Sequence, residues 1–249
     1  MREILLRFFL RKTPGYIDAD YHRILSGHSV YYQRLEPALQ KDFRLRLFHL
    51  LNILAFSPHR LPVVNREMRA VIGCAIIEIT FGLKKFLPGR FTNIMVLPRR
   101  YVYPGYGQPF LGHIDYDRDA LYFSWQDVRH GYLVPGDAVN VALHEWAHVL
   151  EVENRYNALF SRFFNQVDWK QWAQVAFEKM QVIRKKENSF LKSYGGANMS
   201  EMFAVCVETF FEKPEAFKAQ LPDLYETMVH LLKQDPTRPG NPLLERRFR

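Results

Sequence analysis

The chain has 249 residues, with 34 Lys+Arg against 26 Asp+Glu, a net charge of +8, 48% hydrophobic residues and two cysteines. This composition excludes a disordered chain and a disulfide or thiolate-zinc framework. No apolar run reaches the roughly 20 residues that span a bilayer. Residues 1–125 hold 18 basic and 10 acidic side chains and residues 126–249 hold 16 of each, so the whole excess is N-terminal. No nucleic-acid motif accompanies it, so a solvated basic surface is expected rather than a nucleic-acid partner. Cys74 and Cys206 lie in apolar helical stretches as buried free thiols, which suits a reducing, cytoplasmic setting.

The chain opens with MREILLRFFLRK, which superficially resembles a signal peptide. Arg7 interrupts its apolar core, and no small-residue cleavage site follows before Pro14-Gly15. Residues 1–35 are read as a basic helical segment whose Leu5, Phe8 and Phe9 dock on the domain; a membrane-surface anchor is the alternative. Helical periodicity follows over 36–55 and again over 65–83, where Asn65 stands ready to cap. Residues 93–98, NIMVLP, read as a short buried strand. Phe110–Tyr116 and Ala120–Trp125 flank Asp117-Arg118-Asp119, which predicts a hairpin. Helices are expected at about 138–152, 168–186, 199–212 and 222–233, with an extended tail over 234–249. No repeat or linker divides the chain, so one domain of the α+β class is expected: mostly helical, with a small mixed sheet.

The informative segment is Val139–Glu151, VNVALHEWAHVLE. It spells His144-Glu145-x-x-His148, a spacing that sets two imidazoles on one helix face for zinc with Glu145 beside the coordinated water. At 100° per residue, Val139, Leu143, Trp146 and Leu150 share an apolar stripe that faces the core. His144 and His148 fall on the opposite side together with Glu151. A satisfied pair of core histidines does not fit that placement, although a plain polar stripe would.

A catalytic zinc site needs a third protein ligand and an open position. The helix SEMFAVCVETFFE offers one: Glu201, Ala204 and Glu208 lie on the face opposite Met199, Phe203, Cys206 and Phe210. Ala204 would let this helix approach the first closely, and either carboxylate can complete a His2Glu set. Glu153 points away from the histidine face, and Glu151 suits orienting an imidazole. Tyr194, in SYGGANMSE, sits where two glycines would let a loop reach the metal. From residues alone it reads as an ordinary tyrosine.

Taken together, SVYYQRLEPALQ, REMRAVIGCAIIEITFGL, NIMVLPRRYV, YFSWQDV, HEWAHVLE and SEMFAVCVETFFEKPEAF resemble the zinc metallopeptidases of the Mlc titration factor A family. That family is related in fold to the catalytic domain of anthrax lethal factor. The resemblance implies a zincin-like fold, one zinc ion per chain held by His144, His148 and Glu201, and Glu145 as general base. It also implies that Tyr194, seven residues before Glu201, stabilises the transition state, and that Glu208 supports the site. Two departures stand out. Glu151 replaces a usual Asp, and VENRYNALF replaces a segment that usually continues into an Asp-Gly turn.

The expected function is a zinc-dependent, aminopeptidase-like peptidase acting on peptide or protein substrates. The alternative is a non-enzymatic regulator that binds a transcriptional repressor and keeps a structural or vestigial zinc site. His113 and His130, around the hairpin, are given no metal role.

Overall fold

The computed structural model describes residues 13–102, 107–156, 163–185 and 190–238. The expected docking of Leu5, Phe8 and Phe9 and most of the expected tail lie outside these residues. The described part of the N-terminal segment is two helices, α1 (Gly15–His28) and α2 (Val30–Arg34), joined by Ser29, whose hydroxyl accepts from the Tyr32 amide at 3.0 Å. Helix α3 (Pro37–Ile53) begins on a proline, whose missing N–H is no loss in a first turn. It ends short of residue 55 because Ala55–Pro58 pairs as strand β1. The four residues AFSP carry no alternation, so pairing rather than local pattern makes this strand. Helix α4 (Arg66–Thr80) is capped as expected, Asn65 Oδ1 accepting from the Met68 amide at 2.9 Å.

Strand β2 (Asn93–Leu97) agrees with the expected strand, and β3 (Tyr101–Val102) with β4 (Pro109–Phe110) forms a separate short ribbon. Strands β5 (Gly112–Asp115) and β6 (Ala120–Ser124) form the expected hairpin, with Gly112 opposite Phe123 and Asp115 opposite Ala120. The main sheet runs β1-β2-β6-β5; the first three are mutually parallel and β5 is antiparallel at the edge. The sheet is therefore small and mixed.

Helix α5 (Trp125–Leu133) follows at once where strand was expected to persist, because Ser124 Oγ accepts from the Asp127 amide at 3.4 Å and starts a helix. The remaining elements are α6 (Val141–Tyr156), α7 (Gln166–Arg184), a 3-10 turn at Ser193–Gly196, α8 (Met199–Glu212), α9 (Pro214–Gln220) and α10 (Pro222–Leu232). Helix α9 is an addition to the expected list. Helix α6 starts three residues later than expected: Ala138 takes a left-handed φ of 62°, and Asn140 Oδ1 caps the Leu143 amide at 3.2 Å.

Helix α4 is the centre of the core, buried without a break from Ala70 to Thr80. A helix apolar on every side must be covered on every side. Trp146 of α6 fixes one neighbour by donating its indole N–H to the Ile72 carbonyl at 2.9 Å. On α8, Phe203 meets Trp169 and Trp172 of α7 edge-on, at 5.3 and 5.1 Å between ring centres. The described start of the tail packs against the domain. Gln234 is buried, its amide donating to the Glu78 and Ile79 carbonyls at 2.8 and 2.9 Å, and Asp235 accepts from the Tyr225 hydroxyl at 2.6 Å. The carbonyls at a helix end need donors, and Gln234 supplies them. Among the described residues no helix is long and apolar enough to cross a membrane.

Candidate metal centre

Helix α6 buries Leu143, Trp146 and Leu150, so the residues that alternate with them are turned toward α8. Val139, expected in the same stripe, lies before the helix and is 37% exposed. Ala204 is fully buried between Glu201 and Glu208, and its small side chain lets α8 lie close against α6. His144, His148 and Glu201 are thereby brought together.

The three donor atoms form a near-equilateral triangle. His144 Nε2 lies 3.1 Å from His148 Nε2, and Glu201 Oε2 lies 3.2 Å from the first and 3.4 Å from the second. A tetrahedral ion held at about 2.0–2.1 Å needs donors about 3.3–3.4 Å apart, so this triangle fits one face of such a site. Glu201 Oε2 is also buried with no hydrogen bond of proper geometry. An acceptor left in that condition is costly unless something else takes it up, and a cation between the three donors does so. Among the described residues this is the one cluster of three His, Cys, Asp or Glu side chains close enough to share an ion.

Each imidazole is held from behind. His148 Nδ1 meets Ser200 Oγ at 2.9 Å, and Ser200 donates to Glu151 Oε2, also at 2.9 Å. Glu151, buried, is paired on its other oxygen with Arg155. The carboxylate at 151 thus supports the imidazole one turn back, with a serine between them. His144 Nδ1 lies 3.7 Å from Glu208 Oε2, which also receives Lys192 Nζ at 3.0 Å; Glu208 Oε1 accepts from the Asn140 amide at 3.2 Å. Glu153 serves elsewhere: it is buried against Gly89, and its Oε1 lies 3.7 Å from Arg90. Gly89 has a φ of 68° and no room for a Cβ beside that carboxylate.

Without an ion the centre is an acid–imidazole network. Burial works to raise Glu201, but the imidazoles of His144 and His148, 3.2 and 3.4 Å from its Oε2, hold it down to about 2. Burial also works against a charge on His144. The carboxylates of Glu201 and Glu208 on either side of it, and then the charge of Glu145, outweigh this and push it up to about 10. Glu145 is raised by burial, with the neighbouring imidazoles acting against the shift.

Tyr194, on the 3-10 turn, places its ring 6.1 Å from that of His144 and stays 57% exposed. Its phenol is raised, by burial first and then by the charge of Glu201. A second tyrosine, Tyr116 at the end of β5, is raised by burial and then by the charges of Glu145, Glu151 and Glu201. Gly112 of β5 lies directly on Glu145: a Cβ there would stand 2.8 Å from Glu145 Cγ. Sequence reasoning singled out neither Tyr116 nor Ser200. Ser200 had one signal, since it precedes Glu201 and an oxygen there faces the same helix. Tyr116 had none. His113 is engaged with aromatic neighbours instead, 2.6 Å from the Tyr101 hydroxyl and stacked on Tyr122 at 4.5 Å.

A mostly helical α+β fold in which two imidazoles of an HExxH helix meet a glutamate from a second helix defines a metallopeptidase-type class. Within it, the chain belongs to the glucose-regulated metallo-peptidase M90 family, whose profile matches residues 7–233. Among curated relatives it is similar to proteins named Mlc titration factor A, from Yersinia pestis (strain Pestoides F) and Yersinia pseudotuberculosis (serotype O:1b, strain IP 31758). Each is 22% identical over 191 residues, covering 70% of this chain and 68% of the relative.

Proposed function

We propose that the chain is a zinc-dependent peptidase of aminopeptidase-like type, working in the cytoplasm, with His144, His148 and Glu201 holding one zinc ion. The observation that carries this reading is the donor triangle with the Glu145 carboxyl one residue along the same helix. When bound, zinc lowers the pKa of a coordinated water to about 7 and polarises a carbonyl. Glu145, shielded from bulk water and raised by burial, accepts the proton of the attacking water and returns it to the leaving amine. Tyr194, exposed beside His144, donates its hydroxyl to the oxygen on which negative charge develops. Ser200 and Glu151 hold His148, and Glu208 and Lys192 support His144.

Strand β5 supplies the substrate platform. It is the sheet's edge, it lies on Glu145 through Gly112, and its outer side can pair with an extended peptide. Zinc content after chelation and reloading, followed by peptide cleavage, tests the reading. Wild type retains about one zinc per chain and cleaves; Glu145→Gln keeps the zinc and loses about 10²–10⁴-fold in rate. Folded protein that takes up no zinc would refute it.

The relatives' name, Mlc titration factor A, favours a second reading in which the chain binds a transcriptional repressor. Under that reading Glu145→Gln leaves the cellular effect intact, whereas a peptidase loses it.

A further inference from the structure

Away from the metal centre a cavity of about 260 Å³ opens between α2, α4, α5 and the start of α9. Its walls include the rings of Tyr31 and Phe211, set edge to face at 5.4 Å, together with Glu78, Tyr132 and Glu212. Three polar groups there have capacity to spare. Glu78 is 2% exposed on the buried Ala70–Thr80 stretch of α4, and its side-chain hydrogen bonds from Ser29 and from Cys74 at 3.3 Å fall on the same oxygen, Oε1. Tyr132, 7% exposed, has a buried hydroxyl that faces Glu78 and Cys74 without a hydrogen bond of proper geometry. Glu212 at the rim accepts from the Gly136 amide at 2.9 Å and the Asn140 side chain at 3.2 Å, both neutral donors that leave its charge unbalanced.

The cations on the same wall are already engaged. Arg34 lies 3.4 Å from Glu215, and His28 lies 3.1 Å from Glu67. A void lined by aromatic faces and two carboxyl groups without a counter-ion suits an organic cation. The carboxyl oxygens accept its N–H groups, and the rings attract its charge and cover its carbon. The carboxyls are too far apart from other donors to form a metal cluster, since the one such cluster among the described residues is at His144.

We propose that this cavity is a binding site for a small aliphatic ammonium compound, held by Glu78 and Glu212 between Tyr31 and Phe211, with the Tyr132 hydroxyl as a further polar contact. Both carboxyls titrate high, so an ammonium that binds there displaces the proton that Glu78 holds. Glu78 is pushed up to about 8, chiefly by burial, and Glu212 to about 6 for the same reason, each without a cation to offset it. The site shares no residue with the metal centre, but one residue stands between them. Asn140 donates its side chain to Glu212 and its backbone N–H to Glu208 behind His144.

The test is calorimetric titration of chelator-stripped protein with butylammonium, so that the result does not depend on the peptidase reading. Saturable binding is expected, with n-butanol, its neutral counterpart, binding at least about tenfold more weakly. Glu78→Gln should weaken butylammonium about tenfold or more, and Tyr132→Phe by a smaller factor; melting curves on both variants establish that they are folded. Absence of saturable binding, equal binding of n-butanol, or undiminished binding by folded Glu78→Gln would each overturn the proposal.

Discussion

Glu201 and Glu78 are both carboxylates on core helices, and in both burial acts to raise the pKa. They nevertheless end far apart, Glu201 at about 2 and Glu78 at about 8. Glu201 faces two imidazoles, whereas Glu78 faces a serine, a thiol and a tyrosine, none of which carries positive charge. The metal region is matched throughout: Glu208 has Lys192 and Glu151 has Arg155. The cavity region has carboxyls and no free cation on its wall. Partnership, more than depth, therefore separates Glu201 from Glu78.

The contrast can be broken in several ways. The largest expected effect is at the matched region: Ser200→Ala removes the link between His148 and Glu151 and should lower zinc affinity about 10–100-fold, read by chelator competition. An unchanged affinity would mean that His148 is positioned by packing alone. Glu208→Gln, acting across 3.7 Å and keeping a polar side chain, should fall at the low end of that range.

The unmatched region gives the next effect. Because the folded pKa of Glu78 lies above its ordinary 4.5, the native state keeps a proton that the unfolded chain releases. Its contribution is complete below about 4.5 and is lost as pH rises toward about 8. Melting temperatures of metal-free protein should therefore fall across that window in wild type and fall less in Glu78→Gln; parallel curves would remove the contrast. The smallest effect is expected at the residue between the regions. Asn140→Ala loses a helix cap and a bond to Glu212, about 1 kcal/mol of stability in a denaturant titration. Its backbone contact to Glu208 remains, so zinc affinity should change less than in Ser200→Ala.

Much of the fold was legible because long helices advertise themselves. Helix α8 occupies the expected 199–212, and Asn65 caps α4 as its position suggested. Strand β1 was hidden in AFSP because its identity comes from pairing with Asn93–Val96. Helix α5 was hidden because YFSW alternates like a strand until Ser124 caps a turn. At the metal centre, helical spacing brought out His144 and His148, but Glu201 and Glu208 shared one face and only resemblance separated them. The structure brings Glu201 to the two imidazoles and leaves Glu208 behind His144. The cavity could not be read at all. Tyr31, Glu78, Tyr132 and Glu212 come from four distant segments, and no spacing rule connects them.

Gln234 has a consequence for the order in which the molecule can be completed. The carbonyls of Glu78 and Ile79, at the end of the central helix, wait for its amide, and Tyr31 donates to its oxygen at 2.5 Å. Beside it, the Leu232 and Lys233 carbonyls press onto Gly82 so closely that no larger residue would fit. The central helix is thus sealed by a side chain made 156 residues after Glu78. A growing chain can collapse around α4 before that moment, but the end of α4 cannot lock until Gln234 has been added.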